Sequence, residues 1–223
     1  MSEVKVIQVN ESVFAENGRE AEIIRNRLTA QGTLFLNFMS SPGSGKTTTL
    51  VALINRLKGR LKIGEMDVDI ESSLDAQRVA DRTGIRSLQI HNGGLCHIDA
   101  DMTARALLEY DTEGLDLLIL ENIGNLVCPA EFDTGAHKNV TILSVPEGDD
   151  KPLKYPLMYQ VSDVVLINKI DTLDYFDFSL EKARERILAL NPKALLFPIS
   201  AKTGEGLDAV CGWIYNELDN LRA

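Results

Sequence analysis

Short runs of consecutive apolar residues alternate along this chain with longer stretches in which apolar residues recur every three or four positions. The runs at 33–39 (TLFLNFM), 61–66, 115–120 (LDLLIL), 140–145 (VTILSV), 164–168 (VVLIN) and 195–198 read as strands. Their continuous apolar character, rather than strict alternation, is the mark of strands covered on both faces. Residues 46–58, 74–82, 99–110, 178–189 and 205–221 carry the helical period, and 15–31 is a further amphipathic helix ahead of the first core strand. Such alternation implies an α/β fold: a mainly parallel β-sheet with helices on both faces, preceded by an N-terminal helix. The chain shows no repeats and no long Pro/Gly/Ser linker. Residues 1–223 are therefore expected to form one domain, with 1–31 an N-terminal extension packed on it.

The first strand runs directly into Ser40-Ser41-Pro42-Gly43-Ser44-Gly45-Lys46-Thr47 and then into a helix. Gly43 and Gly45 let backbone N–H groups close on phosphate oxygens where a Cβ would clash. The helix that follows presents free N–H groups and its positive dipole end to the same anion, which Ser44 and Thr48 help to enclose. Lys46 reaches the β- and γ-phosphates and the Thr47 hydroxyl ligates Mg²⁺ in such a loop, so the fold is read as a P-loop NTPase. One departure stands out: Ser40 occupies the place of the usual first glycine. Mg²⁺ requires hard oxygen ligands, and Asp67 and Glu121, each at the end of an expected strand, are the candidates for holding it and for orienting the attacking water. With Lys46 they form the expected catalytic set. Asp69 and Asp75 read as helix-start or surface acids. Glu121-Asn122-Ile123-Gly124 stands where a DxxG would be expected, and the Gly124 N–H is a candidate sensor of the γ-phosphate.

The base is read from Asn168-Lys169-Ile170-Asp171, which follows the strand VVLIN. A carboxylate at Asp171 accepts both N1–H and N2–H of guanine, a donor pair adenine lacks. Asn168 either bonds the base edge or tethers the loop, and the Lys169 stem covers the purine face. Ser200-Ala201-Lys202, after a short strand, suits a loop buttressing guanine O6. A P-loop, NKxD and SAK in that order specify GTP or GDP rather than an adenine nucleotide.

Composition narrows the partners. The 223 residues carry a net charge of −10, with 23 Lys plus Arg against 33 Asp plus Glu. An acidic surface disfavours nucleic acid and anionic lipid as main partners, while a local nest of N–H groups still accommodates a nucleotide. No apolar run approaches a membrane span, and the first residues lack a signal-peptide pattern, so a cytoplasmic protein is expected. Cys96, Cys128 and Cys211 are expected to be free thiols. Gly94-Leu95-Cys96-His97 precedes a helix, and Cys128-Pro129 lies seven residues beyond Glu121. Two thiolates and an imidazole suit Ni²⁺ or Zn²⁺. Cysteine is also a common small core residue, so spacing alone leaves both readings open. Cys211, beside Trp213 on the last helix, reads as core; His91 reads as a loop histidine and His137 has no evident partner.

The segments PGSGKTT, CHIDA, ENIGNLVCPAEFD, SVPEGDDKPLKYP, NKID and SAKTGEGLD, in that order, resemble the hydrogenase nickel-incorporation GTPases, the HypB family of the SIMIBI class. The resemblance runs from the first core strand to the end of the chain. It implies a slow GTPase and metallochaperone that forms a homodimer with GTP and helps load nickel into [NiFe]-hydrogenase. Hydrogenase maturation proteins and the hydrogenase large subunit are the implied partners. It also implies a Ni/Zn site near the dimer interface at Cys96, His97 and Cys128, with Thr47, Asp67 and Glu121 at the Mg²⁺ and water-positioning places. Lys154 matches a position that approaches the partner's nucleotide. Some relatives carry Cys- or His-rich N-terminal segments; the first 30 residues here contain neither residue, so metal handling is expected on the GTPase domain. A urease-type nickel chaperone is the nearest alternative, although its relatives keep Cys-Pro-His together. A metal-independent GTPase switch gating enzyme assembly, and a small-molecule kinase, complete the alternatives.

Overall fold

Seven parallel strands form one sheet in the order β3-β2-β4-β1-β5-β6-β7 in a computed structural model that describes residues 9–69 and 74–223. The strands are β1 (Leu34–Ser40), β2 (Ile63–Asp69), β3 (Arg86–His91), β4 (Leu117–Gly124), β5 (Lys138–Ser144), β6 (Val164–Asn168) and β7 (Leu195–Pro198). Helices α1 (Val9–Gln31), α2 (Lys46–Leu57), α3 (Leu74–Thr83), α4 (Ala100–Glu109), α5 (Lys151–Lys154), α6 (Pro156–Gln160), α7 (Leu180–Leu190) and α8 (Leu207–Arg222) connect and flank them. No described helix is long and apolar enough to cross a membrane. Residues 1–8 of the expected N-terminal extension lie outside the described residues.

β1 shows why the strands read as unbroken apolar runs. Leu34, Leu36 and Phe38 face α2 and α8, packing with Leu50, Leu53, Ile54, Val210, Trp213 and Ile214. Phe35 faces the other side, with Ala21, Ile24 and Leu28 of α1 and Leu107 of α4. Both faces are dry, so both side-chain sets are apolar.

Three sequence readings need correction. β3 (RSLQIH) was not expected at all. It is one of the sheet's two edge strands, paired only with β2 and partly exposed along its length, and no solid apolar run marks it. β2 and β4 continue past the apolar runs at 61–66 and 115–120, so Asp67 and Glu121 lie inside strands and not beyond their ends. His137, expected to lack partners, accepts the Phe35 N–H on Nδ1 at 2.9 Å and meets Thr29 Oγ1 through Nε2 at 2.9 Å. Burial holds its pKa below the ordinary histidine value.

Candidate functional site

β1 ends at Ser40 and α2 begins at Lys46, so the phosphate loop spans the carboxyl end of the sheet, where open α/β sheets place ligands. Gly43 and Gly45 have φ of 76° and 93°, a region costly for any other residue. A Cβ on Gly45 would lie 2.7 Å from Asn168 Nδ2. Ser40 is the last residue of β1, and among the described non-glycine residues only Lys169 has positive φ. A glycine is therefore not needed at Ser40. A cleft of about 470 Å³ opens over this loop, lined by Ser40 to Thr48, with Asp67, Asp69, Arg78 and Gly124 on its walls. Asp75, in the first turn of α3, is ion-paired with Arg78 at 2.8 Å.

Lys46 Nζ and Thr47 Oγ1 both donate to one oxygen of Glu121, at 3.1 and 2.7 Å. The other Glu121 oxygen is buried without a hydrogen-bond partner, as is Oε1 of Glu65. Glu65, Asp67 and Glu121 bring carboxylate oxygens within 4.8 Å of one another, all buried. Burial first, then the Glu121 charge, raises Asp67 to about 7. Burial also drives Glu65 to about 9 against the opposing hydrogen bond from Ser87. Crowded hard oxygens with unmet acceptor capacity fit a divalent cation such as Mg²⁺, which Thr47, Asp67 and Glu121 would hold. Glu65 was missed from sequence. Its signal was present: acids at 65, 67 and 69 share one face of β2 by the strand period.

At the other end of the cleft, Asn168 closes β6. Its Nδ2 donates to Ser44 O at 3.0 Å and to Thr49 Oγ1 at 3.3 Å, and its Oδ1 accepts the Ala201 N–H at 3.1 Å. Of the two roles considered for Asn168, these bonds make it the tether joining three loops. Lys169, left-handed at φ 65°, sends Nζ to Gly43 O at 2.7 Å. Asp171 accepts from Ser200 Oγ at 2.6 Å, with Lys202 Nζ 3.9 Å from its second oxygen. Phosphate loop, NKID and SAK thus form one connected cradle.

The third cluster lies beyond the end of β4. Cys96 Sγ and Cys128 Sγ are 2.7 Å apart, and His97 Nδ1 is 3.9 Å from the Cys96 sulfur. Asn125 Nδ2 binds Cys96 O at 3.3 Å, drawing the two segments together, and Asn92 Nδ2 binds Leu95 O and His97 O at 2.7 and 2.8 Å. Hydrogen bonding with Cys128 raises the Cys96 thiol above its ordinary pKa. The two thiols the sequence proposed are thus brought together, with the imidazole beside Cys96. Cys211 is buried in the core, as expected, and His91 is exposed at the end of β3. Lys154 is paired with Asp150 at 2.6 Å.

Residues 35–198 match the nucleotide-binding domain described as CobW/HypB/UreG. The hydrogenase maturation factor HypB of Rhizobium leguminosarum bv. viciae is 43% identical over 214 residues, covering 96% of this chain and 71% of that protein. Among solved structures, HypB from Helicobacter pylori in complex with nickel superposes with a TM-score of 0.85 at 37% identity, over 92% of this chain and 96% of that one. The GDP complex of the signal recognition particle 54 kDa protein from Aeropyrum pernix shares the fold, with a TM-score of 0.57 at 13% identity, over 85% of this chain and 48% of that one.

Proposed function

The chain belongs to the HypB family of hydrogenase maturation factors, SIMIBI-class P-loop GTPases, and from that premise we propose that it hydrolyses GTP slowly to time the delivery of nickel to a hydrogenase precursor. The observation that carries this reading is the course of one segment. Glu121, on the phosphate side, and Gly124 belong to β4, and Cys128 follows four residues later. A change at the terminal phosphate thus has a short covalent route to a nickel ligand.

In this reading Lys46 neutralises the β- and γ-phosphates, and Gly43, Ser44, Gly45, Thr47 and Thr48 enclose them with backbone N–H groups. Bound Mg²⁺ would supply charge neutralisation across those phosphates, held by Thr47, Asp67 and Glu121. Asp171 selects guanine, Ser200, Ala201 and Lys202 back the base, Asn168 holds the loops and Lys169 covers the ring. A low intrinsic rate belongs to this reading, since the sequence of the switch segments offers no arginine finger. Nickel is the cargo, taken by Cys96, His97 and Cys128, and zinc suits the same donors.

A second copy of this chain completes the arrangement. Leu95 and Val127, each adjacent to a ligand cysteine, are exposed apolar residues, and three donors leave a tetrahedral ion open on one side. Cytoplasmic action and docking to hydrogenase maturation proteins belong to the same proposal. The test combines nickel titration with gel filtration, in GDP and in a non-hydrolysable GTP analogue. The expected result is more dimer with the analogue and nickel affinity that differs between nucleotide states, both abolished for nickel in a Cys96→Ala, Cys128→Ala variant. Equal elution and equal nickel binding in both states would remove the coupling. Nickel binding unchanged in the double variant would leave a metal-independent switch.

A further inference from the structure

Helix α1 lies outside the nucleotide cradle and contributes none of the proposed nickel donors, yet its polar side chains converge on the segments that carry them. The Asn17 amide reaches both: Nδ2 donates to Asp133 O at 3.0 Å, and Oδ1 accepts the Ala100 N–H at 2.8 Å. Ala100 opens α4 three residues after His97, and Asp133 lies five residues after Cys128. Arg25 grips the same loop, with Nη2 at 2.8 Å from each Asp133 carboxylate oxygen and Nε at 3.0 Å from Ala136 O. Gly135 completes the seat. Its φ is +83°, and a Cβ there would lie 2.7 Å from Ile24 Cβ of α1, so the loop touches the helix backbone-close.

That seat fixes Phe132. Its ring stacks on the His97 imidazole, with centroids 3.9 Å apart and planes within 7°, and its other neighbour is Phe14 of α1, at 5.5 Å and 37°. An imidazole on a single exposed loop samples rotamers freely, whereas one lying flat on an aromatic ring is restricted in both its side-chain torsions. Outer contacts of this kind orient a metal-binding histidine without touching the metal.

We propose that α1 is the template of the nickel-binding corner, and that Phe132, held by Asn17, Arg25 and Phe14, is the positioning residue that aims the His97 ring. This rests on the nickel reading of Cys96, His97 and Cys128 and adds a residue set outside it. Phe132 acts through His97 and is not itself a ligand. The arrangement makes the corner sensitive to anything that shifts α1, since Asn17 moves both ligand-bearing segments at once.

The experiment titrates Ni²⁺ alone into the full chain, following affinity and the thiolate-to-nickel absorption bands, for wild type, Phe132→Leu, Phe132→Tyr, His97→Ala, the Phe132→Leu, His97→Ala pair and Cys96→Ser. Phe132→Leu is expected to weaken nickel binding roughly three- to tenfold and to alter the absorption bands. Phe132→Tyr, which keeps the ring, should restore both. In the His97→Ala background Phe132→Leu should cost nothing further. An equal cost in both backgrounds, or wild-type affinity and bands in Phe132→Leu, overturns the positioning role while leaving the nickel site standing. Failure of the wild type to bind nickel, or equal binding by Cys96→Ser, overturns the nickel reading and this inference with it. Affinity for a GTP analogue, read in parallel, should stay within about twofold of wild type in Phe132→Leu, because the ring does not line the cradle; a larger loss would mark general disruption and overturn the assignment.

Discussion

The nucleotide cradle and the cysteine–histidine corner are built in opposite ways. In the cradle, the phosphate loop, β6 and the Ser200 loop are mutually bonded through the buried Asn168, and the charged groups Lys46, Glu121, Lys169 and Asp171 each have a partner within the chain. In the corner, Cys96 is exposed and the ligand segments are held from behind, by Asn125, Asn92 and α1, while their open side carries Leu95 and Val127. Among the described residues, one site is knitted together by its own side chains; the other is braced from behind and exposed in front. That contrast is what a protein needs if it must keep its fuel and pass on its cargo.

The contrast can be broken most forcefully at Lys46. Lys46→Met should lower GTP affinity by on the order of a hundredfold or more by calorimetry, and leave nickel binding without nucleotide within about twofold. It should also destabilise the chain by about 3 kcal/mol, because Glu121 would be left buried without its cation. Adding Glu121→Gln should restore the melting temperature but not the affinity. A parallel loss of nickel binding in the single variant would mean that the two regions are not separable.

Next in size is Asp171→Asn. Replacing an acceptor by a donor should cost roughly ten- to a hundredfold in GTP affinity and improve the relative binding of xanthosine triphosphate. Unchanged preference in a competition assay would remove Asp171 from base selection.

A smaller, graded effect concerns pH. Asp67 at about 7 and Glu65 at about 9 are raised above ordinary values of 3.8 and 4.5, so the folded state retains protons that the unfolded chain releases. Their stabilising contribution is complete below about pH 4 and is lost as pH rises, through about 7 for Asp67 and about 9 for Glu65. For each group the slope is at most about 1.4 kcal/mol per pH unit. Urea midpoints of nucleotide-free protein in EDTA should fall across that window, and saturating Mg²⁺–GTP should flatten the fall. The smallest effect belongs to Cys96→Ala, which should move stability by no more than about 0.5 kcal/mol, since that side chain is exposed. A larger drop in melting temperature would make it a structural residue.

The parts of the molecule readable from sequence were those in which chemistry is contiguous. The phosphate loop follows an apolar strand and NKID follows another, so each announces itself within about ten residues; Cys96 and Cys128 stand 32 positions apart, and their spacing alone leaves the metal reading open. β3 did not announce itself, because an edge strand with one hydrogen-bonded neighbour has no need of a continuous apolar run. Glu65 lies inside the run at 61–66, among apolar neighbours that mark the strand and not the acid, yet it is fully buried beside Asp67 and Glu121. His137 and the Phe14–Phe132–His97 stack were out of reach for a different reason. They join α1 to residues about 100 positions away, and no local pattern encodes which distant ring will arrive.

Gly124 pairs with Ser40 in the sheet, and any Cβ on it would come within 3.1–3.2 Å of Pro42 in the phosphate loop. The two backbones are therefore in direct abutment, with no compressible side chain between them to absorb a displacement. A joint without play suits the proposed switch: a shift of a few tenths of an ångström at the loop would be passed to the strand end that leads into Cys128.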